Sequence, residues 1–506
     1  MSARATLRRA LLIPVLSLGL AAFVGAQETP GEALPVREHT LENGLRLLIL
    51  PRTGAPTISF VVQYPIGSVN ERPGVSGIAH LLEHLLFKGT TTIGTRDYEG
   101  ELPLLEEMDL LHDSALVEQA HQSPDSIRIG ALNRRIRSLE EKASELVLSN
   151  ELDAILSENG ARSLNATTTA ESTTYFVELP SNRAELWFIL EADRMRNPVF
   201  REFYSERDVV AEERRMRLET NPSALLYEAH LAEAFRVHPY GQPVVGRMED
   251  IQRLSRRDVQ EYFRRFYGPN NAVVVIVGDV DPGEILRWAR RYLASVPEGA
   301  PAPPVVVTEP EQREERRVEV FLDAEPMLRI GWRAPSALHE DAPALAVLAS
   351  LLTGGRNARL YRRLVLQDRT ATNVVSGTGP GRLYPGIFHI DAVPRSPHSP
   401  LEVEAAIYEE LRHLKDVPPS EMELQRVRNQ LEASNIRRLS YNLGLALQLA
   451  ESASFYGRWE RTFAFTRAMV AVTPTDIQRV VSRYFREDRR TVATLVKSAD
   501  GEGGGR

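Results

Sequence analysis

From residue 39 the chain reads as short β-type runs of apolar residues. Leu41 and the run Leu45-Arg46-Leu47-Leu48-Ile49-Leu50 flank Asn43-Gly44, the dipeptide of a tight hairpin, and 57–62 predicts a further strand. The period then changes. Between Gly77 and Lys88 apolar residues recur at helical spacing, with Gly89 as a stop. Two more helical segments are predicted at 104–112 and 125–158; in the second, Ile127, Ile129, Leu132, Ile136, Leu139 and Ala143 keep the helical period. Strands return at 163–165 and 172–179, and helices at 182–196 and 202–219. The unbroken apolar run 272–278 predicts a buried strand, and a helix follows at 282–293.

Pro-rich residues 296–304, continuing into charged 309–317, form the best linker in the chain. Beyond it the order recurs: strands at 318–321 and 328–332, a helix at 342–352, strands at 372–376 and 386–392, long helices, and a last strand at 491–496. Two halves with the same order of elements predict an α+β fold. We expect two homologous halves, each a sheet covered by helices, closing as a clamshell. The expected boundaries are 36–295 for the first half, with a helical insertion at about 104–158, 296–316 for the linker and 317–498 for the second half. A Gly-rich tail at 499–506 is expected to be disordered.

Composition narrows the chemistry. With 61 basic and 68 acidic residues the net charge is −7, which carries no signature of nucleic-acid binding. Arg4, Arg8 and Arg9 precede an apolar run that ends in Val24-Gly25-Ala26, the layout of a secretory signal peptide over 1–26. The protein is therefore expected to be exported: periplasmic if the source is Gram-negative, otherwise secreted. No membrane span is expected after cleavage. The absence of cysteine rules out disulfides, thiolate metal sites and cysteine nucleophiles. Any metal must sit on histidines and carboxylates.

His80-Leu81-Leu82-Glu83-His84 offers such ligands. On a helix, positions three and four apart share a face, so His80, Glu83 and His84 project together. Two imidazoles one turn apart can chelate Zn²⁺, and an adjacent carboxylate that is not a ligand can take a proton from water. The order is H-x-x-E-H, the reverse of H-E-x-x-H. The alternative is a pair of helix histidines that merely cap or pair with Glu83. A third ligand is needed, and the most suggestive segment is 206–214. There Glu206 and Glu213 lie two turns apart on one face, while Glu212 faces Arg215 or solvent.

Several separate strings then occur in the order of one family. These are Asn43-Gly44-Leu45, the run Gly77 to Thr90 around the histidine pair, Asn165-Ala166-Thr167-Thr168, Glu206 to Glu213, His238-Pro239-Tyr240-Gly241, and Tyr267-Gly268-Pro269-Asn270-Asn271-Ala272 leading to Gly278-Asp279. With them the chain resembles the pitrilysin/insulinase zinc metallopeptidases, including bacterial relatives of the mitochondrial processing peptidases, over about residues 36 to 495. The resemblance implies one Zn²⁺ per chain held by His80, His84 and Glu213, Glu83 as general base, and Glu206 assisting the site from the same helix as Glu213. It also implies that Asn165 and Ala166 line a groove where an extended peptide adds to a sheet edge. It implies a zinc-dependent endopeptidase acting on peptides or unfolded segments, as a homodimer or a heterodimer with a related subunit. In the second half the family's Arg and Tyr, seven residues apart, are replaced by Val365 and Thr372. That departure keeps a second expectation open: a non-proteolytic or partner-dependent subunit of a hetero-oligomeric peptidase.

Overall fold

Asn43-Gly44 forms the tight turn its composition predicts, with Gly44 at φ +80°, a conformation that costs other residues strain. In a computed structural model, which describes residues 34–497, this turn joins β1 (Arg37–Thr40) to β2 (Arg46–Pro51). The leader expected at 1–26 and the tail expected at 499–506 lie outside the described residues. The first sheet continues with β3 (Thr57–Tyr64), β4 (Arg162–Thr168), β5 (Thr173–Pro180) and β6 (Val273–Gly278). The second contains β7 (Arg316–Leu322), β8 (Met327–Ala334), β9 (Ala371–Gly379), β10 (Gly386–Pro394) and β11 (Arg490–Lys497).

The strand orders are β1-β2-β6-β3-β5-β4 and β7-β11-β8-β10-β9. In the first sheet only β2 and β6 run parallel, and in the second only β7 and β11. Taking β1 away leaves the same five-strand topology twice. The duplication is thus one of backbone order, as expected for an α+β fold of two like halves.

Alternation along each strand decides what covers each face. Ile49, Phe60, Val62, Val274 and Ile276 turn into the core of the first half, together with the helix Ile78–Leu85. The intervening Val61, Val273, Val275 and Val277 are equally buried but face the other way. Across them, on β3 and β6, lies the helix Asn442–Tyr456 from the second half, with Leu445, Leu449, Ala450 and Ala453 buried. The exchange is mutual. Helix Pro222–Ala234 of the first half packs on β7, β8 and β11, where Leu226 meets Ala493 and Leu495. Its His230 is wholly buried and lies where a side chain at Gly331 would collide with it.

The helical insertion departs from the predicted boundaries. Its first helix is Tyr98–Gln119 rather than 104–112, capped by Asp97, whose carboxylate accepts from the Gly100 N–H at 3.1 Å. The predicted 125–158 segment is two helices, Ser126–Ser144 and Glu151–Glu158. The break falls where Val147 bridges Thr95 and Asn150 takes φ 57°. The predicted helix 202–219 is α-helical over Phe203–Arg214 and widens to a π-turn over Arg215–Glu219.

Candidate metal centre

The helix Ile78–Leu85 begins abruptly because Gly77 holds φ +91° and a side chain there would strike the Val245 carbonyl. Glu71 caps the start by accepting from the Gly77 and Ala79 N–H groups, each at 3.0 Å. Ile78, Ala79, Leu81, Leu82 and Leu85 are buried, which leaves His80, Glu83 and His84 on the remaining face. That face meets the helix Phe203–Arg214 and the strand β4.

One donor atom each from His80, His84 and Glu213 comes within 4.8 Å of the others. His80 Nε2 lies 3.7 Å from Glu213 Oε1, and His84 Nε2 lies 3.5 Å from Glu213 Oε2. The far nitrogen of His84, Nδ1, meets Glu206 Oε2 at 3.4 Å, and the other Glu206 oxygen pairs with Lys88 Nζ at 2.6 Å. Lys88 also reaches Glu202 at 3.3 Å. Glu206 and Glu213 therefore act on one helix face as their spacing predicts. Glu212 points away and pairs with Arg215 at 2.8 Å.

The electrostatics separate the two imidazoles. Burial, with His84 and the Arg217 guanidinium adding to it, pushes His80 down to about 3, so its ring is neutral. Burial also works against a charge on His84, but the carboxylates of Glu206, Glu213 and Glu83 outweigh it and raise the group. Burial lifts Glu83 above the ordinary carboxylate range, against the Thr168 hydroxyl that donates to its Oε2. Glu206 is pulled down, because its bonds to His84 and Lys88 overcome the cost of its own burial. Two neutral-capable imidazoles, with their Nε2 atoms turned inward, and a carboxylate converge as a donor set that could hold a metal ion. A carboxylate on the outer nitrogen of His84 is the usual support for such a ligand.

Asn165 and Ala166 lie on β4, whose only strand partner among the described residues is β5, which makes β4 an edge strand of the sheet. Asn165 is exposed and Ala166 is 8% exposed. Three residues with a part in this geometry are not assigned one by sequence reasoning. Thr168, in the same string as Asn165, touches Glu83; Lys88 follows His84 by one helical turn; Arg217, four residues after Glu213, pairs with Glu213 from the exposed side. Neither substituted position of the second half offers a cationic or phenolic group. Val365 packs partly against the second core, and Thr372 stands exposed on β9 with its hydroxyl on the Val393 carbonyl at 3.3 Å.

Among the described residues no helix is long and apolar enough to cross a membrane. Sequence profiles for the insulinase family (peptidase family M16) match residues 48–107 and 140–247, and the profile described as the peptidase M16 inactive domain matches 253–431. The chain is 27% identical to the zinc protease PqqE of Helicobacter pylori, over 95% of this chain and 97% of that protein. It is 23% identical to the probable mitochondrial-processing peptidase subunit beta of Arabidopsis thaliana, over 91% of this chain and 78% of that one. Its fold matches the crystal structure of a protease from Helicobacter pylori with a TM-score of 0.77 at 25% identity, covering 92% of this chain and 100% of the other. The periplasmic protease PqqL of Escherichia coli matches with a TM-score of 0.68 at 17% identity, over 92% of this chain and 48% of that one. With both halves of the chain matched, and matched in family order, it belongs to the peptidase M16 (insulinase) family.

Proposed function

We propose that the protein is an exported zinc-dependent endopeptidase that hydrolyses peptides or unfolded segments held in extended form. The observation that carries this reading is the meeting of His80, His84 and Glu213 within 4.8 Å, with Glu83 on the same helix face and outside the ligand set. Zinc, when bound by these three residues, supplies Lewis acidity to the scissile carbonyl and to the attacking water. Glu83, held by Thr168, takes the proton of that water and delivers it to the leaving amine. Burial raises its affinity for protons, the direction that suits a group that must both accept and donate one. The edge strand β4 at Asn165 and Ala166 would accept the peptide as an added strand, which sets backbone direction and leaves side-chain choice loose.

A purified sample assayed on a quenched peptide library, with and without chelator, tests the reading. Glu83→Gln should keep stoichiometric zinc and lose at least about a hundredfold in kcat, the range for a lost general base. Full activity in that variant would rule out the assigned role.

A second reading has its own support. Val365 and Thr372 replace the expected Arg and Tyr, and the second half matches a profile described as inactive. On that reading the chain is a non-proteolytic or partner-dependent subunit of a hetero-oligomeric peptidase. Activity that appears only on adding such a partner would favour it.

A further inference from the structure

The turn that follows the edge strand β4 carries a buried carboxylate that no step above uses. Glu171 is 3% exposed. Its Oε1 accepts from the Tyr240 hydroxyl and from the Leu383 N–H at 2.8 Å, and its Oε2 accepts from the Arg382 N–H at 2.7 Å. Leu383 and Arg382 belong to the connection between β9 and β10, so both N–H donors come from the second half. Around them Val69, Ala170, Phe235, Tyr240 and Ile387 make a small apolar cluster that draws on both halves. The approach leaves no spare room: a methyl on Gly381 would overlap the Tyr240 hydroxyl and stand 2.6 Å from Glu171 Oε1.

On the other side the turn is stiff. Thr169 Oγ1 accepts from the Glu171 and Ser172 N–H groups at 3.2 and 3.0 Å, and the Val69 N–H donates to the Ala170 carbonyl at 2.9 Å. Thr168, three residues before Glu171, holds Glu83. A short covalent path therefore runs from the second half, through Glu171, to the edge strand and the group assigned as base. A buried carboxylate with three donors is strongly bonded, and withdrawing two of them would leave it unsatisfied at a cost no local rearrangement repays.

We infer that Glu171 is a positioning residue, the latch by which the second half holds β4 and Thr168 in register with Glu83. The inference rests on the reading of Glu83 as base and β4 as the peptide-binding edge. It gives the second half a part in the reaction that does not need an Arg or a Tyr at Val365 and Thr372.

The test uses the full chain with Glu171→Gln, Gly381→Ala and the double variant. Hydrogen exchange followed by mass spectrometry should quicken over residues 162–172 in both single variants, although Gly381 lies in the other half. Each should lower kcat by about tenfold to a hundredfold, the effect of a small misplacement of reacting groups, with zinc content unchanged. The double variant should be no worse than the poorer single one, since both break one contact. Unchanged exchange over 162–172 in Glu171→Gln, or fully additive losses, would overturn the inference. A wild type that hydrolyses nothing would instead count against the proposed function, and the exchange result would still decide the latch.

Discussion

Residue identity does most around the two imidazoles. His84 has its outer nitrogen on Glu206, and Glu206 is in turn held by Lys88. Removing the carboxylate frees the ring to rotate. Glu206→Gln is expected to weaken zinc binding by about tenfold to a hundredfold. Lys88→Met should weaken it less, because Lys88 reaches His84 only through Glu206. Competition against a chromophoric chelator measures both, and an unchanged affinity in Glu206→Gln would remove that residue from the support. The histidine pair and the seven-residue spacing of Glu206 and Glu213 are legible in the sequence, because helical geometry converts spacing directly into a shared face. Lys88 and Thr168 are not. Their partners lie 118 and 85 positions away in the chain, and no local period encodes which strand crosses which helix.

At the scale of elements, strands and buried helices were easier to read than the insertion. The run 272–278 becomes β6 over Val273–Gly278, buried at every position, since a strand covered on both faces needs no alternation. The insertion has a charged surface on a long helical period, and its break at residues 145–150 depends on a bridge to Thr95 that local sequence does not signal. Its base is part of the core. Leu105, Met108, Ile136 and Leu139 belong to the first-half cluster, and Arg201 and Glu101 form a wholly buried ion pair beneath it. Its far end is different: Val117 is 62% and Ile127 80% exposed. Leu139→Ala should therefore cost about 2–5 kcal/mol, whereas Ile127→Ala should stay within about 0.5 kcal/mol. Urea melts of the two variants measure this. Equal losses would mean that the end of the hairpin is packed too.

For the whole molecule the seam between the second sheet and helix Pro222–Ala234 sets a pH dependence. His230 and His389 are each pushed down to about 3, by burial first and then by the Arg329 guanidinium. An unfolded chain takes up those protons near pH ~6.5, so both groups favour unfolding as pH falls from there toward 3. Asp391 acts in the opposite sense, since burial, only partly offset by Arg329, pushes it up to about 6. Between pH 6 and 4 these three groups together leave about one proton favouring the unfolded chain, so the seam loses stability as the pH falls. His389→Gln should flatten the difference between urea melts at pH 6 and pH 5 relative to wild type; an unaltered slope would take His389 out of the account. The twofold architecture was legible from the repeated order of elements, but the exchange of covering helices was not, because helix 222–234 carries no mark of which sheet it will cover. That exchange governs the order of events during synthesis. When β6 leaves the ribosome at residue 278, the valine face of the first sheet still lacks the helix that ends at Tyr456, 178 residues later. At about 5–20 residues per second, that is roughly 9 to 36 seconds with a bare apolar surface. A nascent chain in this state is a natural client for a chaperone.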